Sequence, residues 1–266
     1  MLLSDVRALW RARSLVAVLT RREVQARYAG SAAGMAWAYA QPLLSIAAYY
    51  LVFDVVFSMR VGGAHAGGSS RLGVYLIVGS LPWMAFCDAI ARGTSSLVDA
   101  GAVLQKNALP PVLFPARTVL ATAWVYGPLM LLLALAYLPL HGLRAGYAAL
   151  APLLLGQLLL SFLLAYLLAI FAAALRDVIQ VVGFWLSVGI FMSPVLFPLT
   201  LFPQAWRWVL WLNPMTPLVL GYQAILLEGG WPPAAVWHGL LAWLLALGWL
   251  LRLVVRRCRD QLTDWL

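Results

Sequence analysis

The chain has 266 residues, of which 64% are hydrophobic and only 10% are charged. A soluble domain is about half apolar and about a quarter charged, so this chain has too little polar surface to clothe a water-soluble globule and reads as a polytopic membrane protein. Its 18 Lys and Arg against 9 acids give a formal charge of +9, an excess assigned to membrane topology rather than to nucleic-acid binding.

The first 28 residues set Leu2, Val6, Leu9, Trp10, Val16 and Leu19 at helical spacing, with Arg7, Arg11, Arg21 and Arg22 between them. That pattern predicts a basic amphipathic helix in the headgroup plane. Glu23 and Arg27, four apart, can pair on one face. Topology alone also accounts for these arginines, because positive residues fix orientation with no further role. The six arginines of residues 7–27 leave no compact apolar core, so no secretory signal is expected. Gly30-Ser31-Ala32-Ala33-Gly34 follows as a small-residue hinge.

A first span is predicted over 37–57, about 20 residues, enough for a hydrocarbon core of about 30 Å. Pro42 lies in its first turns, where a missing N–H is tolerated. Residues 60–71, with two Gly-Gly pairs, read as a flexible loop. The second span is predicted over 73–91, with Asp88 and Arg92 spaced for an ion pair. Residues 93–112 are the longest polar connection and carry a short amphipathic helix stopped by Pro110-Pro111.

A third span over 113–140 and a fourth over 147–175 follow, then the tight turn Arg176-Asp177 and a fifth span over 178–197. Residues 198–232 are apolar but broken by Pro198, Pro203, Pro214 and Pro217. Irregular backbone at membrane depth must be buried in protein, line a cavity or lie at the interface. Two re-entrant helices are therefore expected, around 200–211 and 215–227. A sixth span over 234–255 leads into a basic tail with Arg256, Arg257 and Arg259. With both termini in the cytoplasm, fourteen of the 18 basic residues fall inside and only Arg60, Arg71, Arg144 and Arg207 outside. The expected organisation is an all-α membrane protein: an amphipathic segment over 1–30, a six-helix transmembrane domain over 31–255, and a cytoplasmic tail over 256–266. Six spans without an internal repeat suggest half of a symmetric pore, completed by a second copy.

Several kinds of chemistry are excluded. A phosphate-binding P-loop needs Gly-Lys followed by Ser or Thr, yet the single lysine, Lys106, stands between Gln105 and Asn107. Neither HExxH nor GxSxG occurs, and His65, His141 and His238 are far apart near span ends. Cys87 and Cys258 have no metal spacing. Asp54 and Asp88 are placed about a turn from span ends rather than at the midplane, which argues against a proton- or sodium-coupled carrier. Energy for uphill transport must come from elsewhere. Trp206, Trp208, Trp211, Trp231 and Trp237 suit an outer interface belt. Trp37, Tyr39 and Tyr49 are candidates for lining a path, since aromatic faces stack on sugar rings; a helix-packing stripe is an equal alternative. Ser193-Pro194 is expected to break a helix beside a cavity.

Five segments in order carry a family resemblance: LTRREVQARYAGSAAGMAWAYAQPLLSIAAYYLVFDVVF (19–57), YLIVGSLPWMAF (75–86), GTSSLVDAGAVLQKNALPPVLFP (93–115), ALRDVIQVVGFWLSVGIFMSPVLFP (174–198) and WLNPMTPLVLGYQAILLEG (211–229). Together they resemble the membrane subunit of ABC exporters for O-antigen, teichoic acid and capsule polysaccharides. The resemblance implies a homodimer paired with two copies of a separate ATPase, which would bind ATP and magnesium so that this chain holds no cofactor. It implies a multi-pass location in the bacterial inner membrane and an undecaprenyl-linked polysaccharide as cargo among membrane lipids.

By the same resemblance, Arg21, Arg22, Arg27 and Tyr28 would form a gate at the lipid headgroups. Leu104, Gln105, Lys106 and Asn107 would dock into the ATPase, and the periplasmic 198–232 segment would cap the channel. Gln105, Leu109-Pro110 and Gln223 depart from the residues common in that family. The alternatives are an ABC exporter of a drug or small lipid and, from another class, a membrane-embedded glycosyltransferase or phosphatase. The scattered nine acids argue against the last.

Overall fold

The computed structural model of the chain describes residues 2–56, 72–107, 109–142, 144–258 and 265. The predicted loop 60–71, with His65, lies outside the described residues, as do Phe57, Ala108 and Arg259. Among the described residues all regular structure is helical.

The predicted N-terminal helix is two helices, α1 (Leu2–Arg11) and α2 (Arg13–Arg27), parted at Ala12. Helix α2 buries Val16, Thr20 and Val24, a single stripe at i, i+4 and i+8, and packs on α6. The chain then turns at Gly30 (φ 79°) and Gly34 (φ 51°), left-handed positions that a side chain would strain. The expected hinge is thus built from backbone that glycine alone adopts easily. Helix α3 (Ala36–Tyr50) continues as a π-helical turn, Leu51–Val56.

Helix α4 (Leu72–Asp99) is the axis of the fold and packs against α3, α6, α7, α8 and α10. It runs about two turns past the predicted end at residue 91. The hydroxyls of Thr94 and Ser96 bond back to the carbonyls of Ile90 and Gly93, so the polar run stays helical. Lipid tails are as apolar as leucine, so helices in a membrane associate by close packing and polar contacts. Small residues on α4 permit that approach: a Cβ on Gly93 would meet the Ala165 side chain, and one on Gly79 the Val195 backbone. Gln157 of α7 donates to the carbonyl of Pro82 (2.9 Å) and accepts from the buried Tyr222 hydroxyl (2.8 Å). One amide thereby ties α4, α7 and α10 together.

The short α5 (Gly101–Lys106) leads to α6 (Leu113–His141) and α7 (Leu150–Ala174), the latter preceded by a 3-10 turn, Ala145–Ala149. The predicted fifth span is shorter than expected. Helix α8 (Val178–Gly189) has 12 residues and ends in a 3-10 turn, Ile190–Met192, before the break at Ser193-Pro194. Residues 199–210 form 3-10 turns at Leu199–Leu201 and Gln204–Trp206 and then α9 (Arg207–Leu210), not one helix. Helices α10 (Thr216–Leu226) and α11 (Ala234–Cys258) complete the chain. Among the described residues, five helical segments are long and apolar enough to cross a membrane: Ala36–Val56, Leu72–Asp99, Leu113–Pro139, Ala145–Ala174 and Ala234–Cys258. The chain is a multi-pass, all-helical membrane protein.

Candidate functional site

The segment between α4 and α6 is the most sharply shaped polar feature. Asp99 ends α4, Ala100 turns, and α5 makes under two turns before Pro110-Pro111 halts it. The Asn107 backbone and side-chain N–H groups both donate to the Val103 carbonyl, at 3.0 and 3.1 Å, closing the helix end. Leu104 is buried and roots α5 in the core, while Val103, Gln105, Lys106 and Asn107 are exposed. Of the four predicted coupling residues, three point outward and the first points in.

The second feature joins α2, α4 and α6. The Arg27 side chain is only 2% exposed and donates to Asp88 Oδ2 at 2.9 Å. It also reaches the Thr118 carbonyl and Thr122 Oγ1, both at 3.3 Å. Asp88 accepts from the Thr122 hydroxyl and from Arg92 Nε at 2.8 Å. Glu23 lies between Arg27 (3.8 Å) and Arg117 (3.6 Å), and the Arg117 guanidinium covers the Phe114 ring. A carboxylate within an apolar helix needs partners, and Asp88 has two cations and a hydroxyl. Arg27, expected at the headgroups, is instead withdrawn into the bundle. Its neighbour Tyr28 is half-buried, and Arg21 and Arg22 remain exposed.

The break after α8 is packed within the chain's own bundle. Ser193 and Pro194 are buried. The Pro194 carbonyl accepts from Gln223 Nε2 at 2.8 Å and lies 2.8 Å from the Tyr75 hydroxyl. That hydroxyl is also 3.1 Å from the Phe197 carbonyl and from Gln223 Oε1. Tyr75 and Gln223 thus supply the partners that broken backbone needs at membrane depth. Asn213 binds the end of α8 through the Gly189 carbonyl (3.0 Å) and caps its own turn by accepting from the Met215 N–H.

The match to a family model now bears on these features. A model described as ABC-2 type transporter covers residues 14–227, from α2 to the end of α10. The chain belongs to the ABC-2 type transporter family. It is 31% identical to a protein of Myxococcus xanthus named O-antigen export system permease protein RfbA, over 97% of this chain and 98% of that relative. A protein of the same name from Klebsiella pneumoniae is 22% identical, over 81% of each chain.

In this ABC-2 chain the remaining predicted residues lie apart. Trp37 is exposed on α3, whereas Tyr39 and Tyr49 are half-buried. Positions 37 and 39 diverge by about 200° around a helix of 3.6 residues per turn, so the pair does not form one stripe. Arg176 and Asp177 are exposed in the turn between α7 and α8. Asp54 accepts from the Gly73 N–H at 2.9 Å, which sets a carboxylate at the N-terminus of α4, a favourable place for negative charge. Thr118, Thr122 and Gln223 were not singled out from the sequence as polar partners. The signal for the first two was Asp88 itself, whose depth demands more than the adjacent Arg92.

Proposed function

We propose that the chain is the pore-forming permease subunit of an ATP-driven exporter of a lipid-linked polysaccharide, with O-antigen as the cargo. The observation that carries this reading is the near full-length similarity to a relative named as an O-antigen export permease. A homodimer would enclose the path, and each protomer would bind one copy of a separate ATPase that holds ATP and magnesium. The undecaprenyl-linked glycan would cross the inner membrane through the space between protomers.

The proposed topology has six crossings with both termini cytoplasmic, α8 and the apolar 190–206 segment together making the fifth. Residues 1–30 would lie at the cytoplasmic interface, 93–112 would face the ATPase, 198–232 would form the periplasmic cap, and 256–266 would be the cytoplasmic tail. ATP-driven closure would push on Gln105, Lys106 and Asn107, and Leu104 would pass the displacement to α4 and α6. Arg21 and Arg22 would attract the pyrophosphate of the carrier lipid.

Exposed polar residues support the surface chosen for the path. The side chains of Gln41 on α3 and Gln180 on α8 are exposed on otherwise apolar helices. Lipid would leave them unsatisfied, and a water-filled path would not. The exposed face of α11, by contrast, carries Leu241, Leu245, Trp249 and Leu250 between His238 and Arg252 near its ends, and its apolar middle suits lipid. A strain lacking the chain should accumulate long lipid-linked glycan in the cytoplasm and lose it from the cell surface. Unchanged surface glycan would overturn the reading.

A further inference from the structure

We infer that Glu23 is a clasp that carries ATPase-driven movement of α5 to helix α2, closing on Arg117 and Arg27 in a second state of the chain. The inference deepens the exporter reading and rests on it. Glu23 lies between two guanidinium groups, its Oε2 3.6 Å from Arg117 Nε and its Oε1 3.8 Å from Arg27 Nε. Charge-assisted hydrogen bonds of this kind measure about 2.7–2.9 Å, so both contacts stop short by roughly an ångström. Both Nε atoms are buried and have no hydrogen-bond partner. A buried donor on a cation is costly to leave unpaired, and here two of them face the two oxygens of one carboxylate. This conformation is thus the loose state of a contact that a small shift completes.

The clasp sits where two halves of a mechanical route meet. On one side, Leu104 of α5 shares the buried core with Val112, Leu113 and Phe114 at the start of α6. The Phe114 ring carries the Arg117 guanidinium at 5.0 Å, so a displacement of α5 reaches Arg117 through the first turns of α6. On the other side, both terminal nitrogens of Arg27 are engaged, Nη1 by Asp88 and Nη2 by the Thr118 carbonyl and the Thr122 hydroxyl. Arg27 is therefore a fixed point, and the chain beyond it turns at Gly30 and Gly34 with positive φ.

Glu23 stands one turn from that fixed point, and α2 runs on to Arg13. At 1.5 Å per residue the two lie about 6 Å and about 21 Å along the axis from Arg27, so a sideways shift at Glu23 grows about threefold at Arg13. Between them α2 meets the bundle through Val16, Thr20 and Val24. That stripe is largely apolar and the Thr20 hydroxyl has no hydrogen-bond partner, so it resists tilting less than a bonded contact does. A two-state element of this kind lets two separate surfaces bias one equilibrium. Here those surfaces are the outward residues of α5 and the headgroup side of α2.

Thiol labelling of the full chain, with its partner ATPase in vesicles, tests the clasp. Val16→Cys puts a thiol in the buried stripe, and its reaction with a maleimide is read by peptide mass, apart from Cys87 and Cys258. Trapping the ATPase with ATP and vanadate should change the labelling rate about tenfold, the shift that one charge-assisted hydrogen bond supplies. Val24→Cys, nearer the fixed point, should change less. Adding Glu23→Gln to Val16→Cys should cut the response to about twofold or less and leave ATP hydrolysis and the unfolding temperature nearly as they were. Glu23→Asp, which keeps the charge and widens both gaps, should fall between. Gln25→Ala, at an exposed neighbour, should leave the response intact. A full response with Glu23→Gln would overturn the clasp, as would a labelling rate at Val16→Cys that trapping does not change. A chain that retains no ATPase on purification would overturn the exporter reading, and the clasp with it. Should Glu23→Gln fail to insert, Arg117→Gln removes the facing donor and decides in its place.

Discussion

Asp88 and Arg27 are the pair whose removal the fold should feel most. Truncating one member of a buried ion pair strands the other and costs about 3–5 kcal/mol. Asp88→Ala should therefore lower the unfolding temperature of the purified chain sharply, followed by loss of the monodisperse peak on heating. Arg92→Gln should cost much less, because that side chain is 45% exposed and such pairs contribute about 1 kcal/mol or less. The double variant Arg27→Ala, Asp88→Ala should be more stable than the sum of the two singles, by about 0.5–3 kcal/mol. Strict additivity would mean that the 2.9 Å contact carries no coupling. At this scale the sequence was half readable. It showed that Asp88 needs a cation and that Glu23 faces Arg27. It could not show Arg27 reaching Asp88 and Thr122, because those contacts join residues 61 and 95 positions away.

Helix α5 separates two roles that lie side by side in sequence. Leu104 is buried, so Leu104→Ala should destabilise the chain by about 2–5 kcal/mol, as core truncations do. Lys106→Ala with Asn107→Ala should leave stability and membrane insertion nearly unchanged. If the proposed docking is right, that variant should lose export while the partner ATPase still hydrolyses ATP. Normal export with normal expression would remove these residues from the coupling role. Pro110-Pro111 and the polarity of the segment made this helix legible, yet the boundary before it was misplaced. Hydropathy falls at residue 91 because Arg92 and Thr94-Ser95-Ser96 are polar, while the backbone remains helical to Asp99. Polarity marks where a helix leaves lipid, not where it stops. The same limit hid the break at Ala12, which no proline or glycine announces.

For the whole molecule, the distribution of buried surface predicts where the second copy of the proposed homodimer would meet the first. Only 6% of the Ala36–Val56 window is buried within the protomer, against 61% for Ala145–Ala174. With Gln41 also exposed on α3, cysteines at Leu44 or Phe184 should cross-link between protomers in native membranes. A cysteine at Leu245 on the apolar face of α11 should not; the reverse pattern would place the dimer contact on α11. The overall helical class and the order of elements were legible because apolar length is a strong signal. Partner surfaces were not, since lipid and a second copy both accept leucine.

The shortness of α8 has a consequence for the surrounding bilayer. Twelve residues rise about 18 Å at 1.5 Å each, and the hydrocarbon core is about 30 Å thick. With the exposed charges of Arg176 and Asp177 at the water boundary, α8 alone would end inside the acyl region, and the irregular 190–206 segment completes the proposed crossing. A change in bilayer thickness then falls on that irregular segment, at a fraction of a kcal/mol for each ångström of mismatch. Lengthening the acyl chains of reconstituted vesicles should then slow the protein's transport cycle without unfolding it, making membrane thickness a control on the rate.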